Sequence, residues 1–136
     1  MNTNEGEVYF ALDGDDFDPD EVTEFLGIKP TSIRRKGSKV SGKIPKMNSW
    51  ELSTGDIVND YIDVFEMATK VVNKLKDRKD LILQAKERFN ALPRFQVILW
   101  ISMNEKHSTP AIGFEVETVK FLGEIGALVD IDTYRH

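Results

Sequence analysis

Between Phe95 and Met103 the chain is apolar on both sides of an extended backbone. Phe95, Val97, Leu99, Ile101 and Met103 fall on one face, Ile98 and Trp100 on the other. Strands exposed to water on one side alternate apolar with polar, so this pattern predicts a strand in the middle of a sheet. The other elements are assigned by what can surround it. Glu7 to Leu12 reads as a strand, with Val8, Phe10 and Leu12 alternating with Glu7, Tyr9 and Ala11. Ile57, Tyr61, Val64, Ala68, Val71, Val72 and Leu75 recur at helical spacing and predict a helix over about 57–76, capped by Asp56.

Local signals place most of the rest. Asp18-Pro19-Asp20-Glu21 has the grammar of a helix start: a capping carboxylate, a proline at the first helical position and acids near the positive end of the dipole. Gly27 supplies a left-handed stop and Pro30 prevents resumption, so the first helix is short, about 19–26. Short strands are predicted over 31–36 and 49–53, separated by an exposed loop. A helical segment follows over 81–91, then a strand over 110–115 paired as a hairpin. A last helix ends at Gly126, and a final strand runs over 128–134. The resulting order is β-α-β-β-α-β-β-α-β. It predicts one α+β domain over residues 1–136, with a mixed or antiparallel sheet and helices mainly on one face, ferredoxin-like in its first part. A chain of 136 residues suffices for one core.

Charge is segregated. Nine acids and no bases lie between Glu5 and Glu24, whereas Phe25 to Trp50 holds seven bases and no acids: Lys29, Arg34, Arg35, Lys36, Lys39, Lys43 and Lys46. Either block could serve a partner, or the two could answer each other.

Several chemistries fail on spacing. Without cysteine there is no disulfide framework, thiolate metal site or cysteine nucleophile. The aspartates at 13–20 do not fit a calcium loop: counting from Asp16 puts Glu21 at the glycine position and Gly27 at that of the bidentate glutamate. Gly37 to Lys43 has phosphate-loop spacing, but Ile44-Pro45 follows where a magnesium-binding hydroxyl and a helix are required. His107 and His136 are too few for a histidine site. Asp130 and Asp132 share one face of the last strand, an arrangement compatible with acid–base work but typical of a guarded edge strand. No apolar run of about 18 residues and no secretory leader is present, so the expected location is cytoplasmic, with no membrane partner.

Five short blocks carry a resemblance. They are Asp16-Phe17-Asp18-Pro19-Asp20-Glu21-Val22-Thr23, Leu26-Gly27-Ile28-Lys29-Pro30-Thr31, Arg35-Lys36-Gly37, Ser49-Trp50-Glu51-Leu52 and Asp130-Ile131-Asp132-Thr133-Tyr134. In these the chain resembles a bacterial family catalogued as domain of unknown function 4279. The resemblance implies a small bacterial protein and assigns no reaction.

The functional expectation is therefore a protein-interaction module rather than an enzyme, with no cofactor and no metal. Its partner would be another protein or a second copy of the chain, and toxin neutralisation of the immunity type is one form of that role. Candidate binding residues are Arg34, Arg35, Lys36, Lys39 and Trp50, with Tyr9 and Trp100 on the sheet. One alternative is a binder of phosphate-bearing ligands or nucleic acid through the basic 34–46 segment. A second is a divalent-metal hydrolase using the N-terminal aspartates.

Overall fold

The computed structural model describes residues 2–38 and 44–136. In chain order it contains β1 (Asn4–Gly14), α1 (Pro19–Leu26), β2 (Ser32–Arg34), β3 (Asn48–Ser53) and β4 (Ile57–Asn59). There follow α2 (Val64–Leu75), a 3-10 turn (Lys76–Arg78), α3 (Lys79–Arg88), β5 (Leu92–Ile101), α4 (Val116–Ile125) and β6 (Leu128–Arg135). The fold is α+β, built on one mixed sheet in the order β2-β3-β1-β5-β6, with β4 beside the start of β1. Neighbours are antiparallel except β5 and β6, which run parallel. The order β2-β3-β1-β5 is that of the split β-α-β motif; α4 and β6 extend it by a parallel crossover. Among the described residues no helix is long and apolar enough to cross a membrane.

Strand alternation decides the layers. Val8, Phe10 and Leu12 of β1, Trp50 and Leu52 of β3, and Phe95, Val97 and Leu99 of β5 share one face and one core with residues of every helix. Phe10 meets Trp50 edge-on at 6.4 Å. The indole N–H of Trp50 donates to Thr23 Oγ1 at 3.0 Å, which fixes α1 over β3. Full burial of side chains this size stabilises by roughly 1.5–3 kcal/mol each.

The first helix forms as its sequence requires. Asp18 accepts from the Asp20 amide, and Gly27, at φ 69°, closes the last turn onto Thr23. Elsewhere tertiary pairing overrides local pattern. The helix expected from residue 57 begins at Val64 behind Asp63, and Asp56 caps nothing. Ile57–Asn59 instead pairs with Asn4–Gly6, because β1 extends past the end of β3 and offers an unpaired edge there. Thr54 bridges the gap, its amide donating to Val8 O and its hydroxyl accepting from the Val8 amide. The hairpin strand expected over 110–115 is absent. β1 and β6 already occupy both edges of β5, so Ala111 makes only an isolated bridge to Asp63 at the start of α2.

That crossing is tight at Gly113, where an added Cβ would run into the ring of Phe65. Gly113→Ala is expected to destabilise by about 1–3 kcal/mol, as overpacking does, and Phe65→Leu to recover part of that loss in the double variant. Urea denaturation of the two single variants and the double reads both effects. Strict additivity would show that the glycine is not there for the ring.

Candidate functional site

With the helices on one side, the residues of opposite parity form a second sheet face. It carries Glu7, Tyr9 and Asp13 from β1, Ser49 and Glu51 from β3, Arg94, Gln96, Ile98 and Trp100 from β5, and Asp130, Asp132 and Tyr134 from β6. No helix lies on it among the described residues, and α4, which could have covered its apolar members, packs against α2 and α3.

Arg94 organises one end of this face. Its Nε donates to Asp13 Oδ2 at 2.7 Å, and its Nη1 to the Tyr9 hydroxyl at 3.0 Å and to Gln96 Oε1 at 2.8 Å. The guanidinium also stands 5.3 Å from the Tyr9 ring centroid. Desolvation works against its charge, but the hydrogen bonds it donates to Asp13 and Tyr9, together with the charge of Asp13, outweigh that and raise its pKa. The Ser49 hydroxyl lies between Asp13 Oδ1 at 2.8 Å and Glu51 Oε2 at 3.1 Å, and Arg34 stands 3.5 Å from Glu51. Gln96 passes the network on, its amide donating to Asp132 Oδ2 at 3.1 Å. Around Arg94 the chemistry is that of a pre-ordered polar patch in which Asp13 pairs with Arg94 and Glu51 with Arg34, whereas Glu7 and Asp132 are met only by the neutral donors Ser53 and Gln96.

Two adjoining depressions share Asp13, Met47 and Arg94 on their walls. One, about 390 Å³, runs toward Leu92 and Leu128; the other, about 340 Å³, runs toward Arg34 and Glu51. At the far end of the face Trp100 stacks on Tyr134 at 4.5 Å, and His136 stands beside it at 5.7 Å. Six residues of extended strand, roughly 20 Å, separate this aromatic end from Arg94.

The structure distributes the candidate residues unevenly. Tyr9 and Arg34 come to the Arg94 end, and Trp100 lies half-exposed at the other. Trp50 is a correction: it is fully buried against Phe10 under α1 and presents nothing to a partner. Lys39 lies outside the described residues. Arg35 and Lys36 turn back onto the acidic block. Arg35 binds Asp18 at 2.9 Å and Asp20 at 2.7 Å, and Lys36 stands 3.8 Å from Asp15. The two charge blocks therefore touch. The residues that sequence reasoning missed are Arg94, Gln96 and Glu51; Asp13 enters it only as one of the N-terminal aspartates of a metal site. Their one signal was polar character on the second face of strands whose first face is apolar.

The Asp20 amide, and then the Arg35 guanidinium, hold the Asp18 carboxyl below the usual carboxylate range. A depressed folded-state pKa gives stability that is complete above the unfolded value, about 3.9, and is lost as pH falls through the lower folded value. The stability gap between wild type and Asp18→Ala should therefore be constant at neutral pH and shrink in acid. Denaturation midpoints at stepped pH test this, and a gap independent of pH contradicts it. Arg94→Met should cost about 2–4 kcal/mol by leaving Asp13 half-buried without its cation, and adding Asp13→Asn should return much of that. An equal or greater loss in the double variant would show that the pair is not the source.

Comparison with curated proteins and with solved structures returns no match. A family model does match, over residues 3–136, so every element described above falls within it. By that match the chain belongs to the family described as Domain of unknown function (DUF4279).

Proposed function

We propose that the chain is a non-enzymatic binding module that receives another protein on the open face of its sheet. The observation that carries this reading is the combination on that face of a pre-ordered polar patch around Arg94 and a half-exposed aromatic stack, Trp100 on Tyr134, with no helix over either among the described residues. A stacked aromatic pair at one end of a face and pre-paired polar groups at the other suit a protein interface, because side chains already held by their neighbours lose little entropy on docking. Neutralisation of a toxin by covering its surface is one form such a module takes.

The two alternative readings lose support from the same geometry. A phosphate binder built on Arg34, Arg35 and Lys36 would have to detach them from Glu51, Asp18, Asp20 and Asp15. A metal hydrolase built on the N-terminal aspartates would have to displace Arg94 from Asp13 and Arg35 from Asp18 and Asp20.

Affinity capture from the native host, compared between wild type and Trp100→Ala, tests the reading. A partner held by the wild-type chain should be lost from Trp100→Ala and retained by Lys74→Ala, which alters the helical side. Capture that ignores Trp100, or a wild-type protein that stays alone at every salt concentration, would reject it.

A further inference from the structure

The sheet ends at β6, which pairs in parallel with β5 from Leu128 to Arg135 and meets no strand on its other side among the described residues. Such an edge presents main-chain donors and acceptors to any extended chain that can reach it. Short, bulged, covered or charged edges discourage this; β6 spans eight residues, most of them exposed, and its guard is the charge of Asp130 and Asp132, which turns away a strand without matching cations.

Its two rows of side chains select what can lie beside it. On the open face Asp130, Asp132 and Tyr134 follow one another. Neither carboxylate has a cation within ion-pair distance among the described residues; Asp132 accepts only from Gln96. On the helical side Val129 and Ile131 are each 40% exposed, because α4 packs on α2 and α3 instead of over β6. An added strand would need cations opposite the two acids and the ring of Tyr134, and apolar residues opposite Val129 and Ile131. Two of the pairings open to a second copy set acid against acid. Antiparallel pairing centred on Ile131 sets Asp130 of one copy against Asp132 of the other, and parallel pairing in register sets each acid against itself.

We propose that the outer edge of β6 takes an extended segment of another protein, alternating lysine or arginine with valine, isoleucine or leucine, as an additional strand. This rests on the protein-binding reading above and names its mode and the partner's chemistry.

The test uses the full chain and an end-blocked peptide of about seven residues, a common strand length, that alternates lysine with valine or isoleucine. Titration calorimetry gives the affinity and amide hydrogen exchange gives the place. Binding should slow exchange along β6 and weaken roughly five- to tenfold with Asp130→Lys, whose exposed side chain holds no other group in place. Methylating the peptide's backbone nitrogens on the side facing β6 should abolish binding, since the main chain carries the affinity. The proposal is overturned if the peptide does not bind, binds wild type and Asp130→Lys alike, or tolerates that methylation. It is overturned equally if β6 is already protected in the free protein and sedimentation shows the chain pairing with itself. Host-partner capture that depends on Trp100 while the peptide fails removes the edge inference alone; capture indifferent to both Trp100→Ala and Asp130→Lys removes both.

Discussion

Among the described residues the helices all lie on one side of the sheet, so the second face must be kept in order by its own side chains, and that constraint shapes this molecule. The helical face is solved by burial: Val8, Phe10, Leu12, Trp50, Phe95, Val97 and Leu99 all pack into one core. The open face is solved by pairing. Arg94 bonds Asp13, Tyr9 and Gln96 together across two strands, and Ser49 links Asp13 to Glu51 on a third. Removing either partner of a half-shielded pair leaves an uncompensated charge, so the cluster holds together as a unit. Ala11 and Tyr9 are buried beneath it although no helix among the described residues covers them.

Position within the sheet explains why β1 carries so much of this. It is paired along both edges, with β3 and β4 on one side and β5 on the other. Its first residue is tied as firmly as its middle. Asn4 is almost wholly buried; its amide donates to the carbonyls of Asp60 and Ser108 and its carbonyl accepts from the Ser102 amide. One side chain thus anchors the loop before α2 and the loop after β5, segments without regular ladders of their own. The charge blocks meet for a related reason. The β1-α1-β2 unit brings the start of α1 close to the end of β2, so Arg35 reaches Asp18 and Asp20. Pairs this exposed add little stability, but they leave fewer free charges for a ligand.

Legibility followed the range of the interactions. α1 was readable to the residue because its cap, its first-turn proline and its glycine stop all act within a few positions. The central place of β5 was readable because two apolar faces leave no other position for it. The start of α2 was not, since Ile57 and Val58 suit helix and strand alike and only the spare edge of β1 chose between them. The strand expected over 110–115 failed because β5 had no edge left to offer. Tyr9, Arg34 and Trp100 were named from sequence and lie on the open face, whereas Arg94 and Asp13, 81 positions apart, carried no mark of partnership.

The amino-acid pattern alone therefore determined the class of fold, the single core and the faces that strands turn toward it, because burial periodicity is a local property of the chain. Which strands became neighbours, which charges neutralised one another and which edge stayed open were decided in three dimensions. Those outcomes depend on competition among distant segments for a limited number of edges and counter-charges, and no local window of sequence contains that competition.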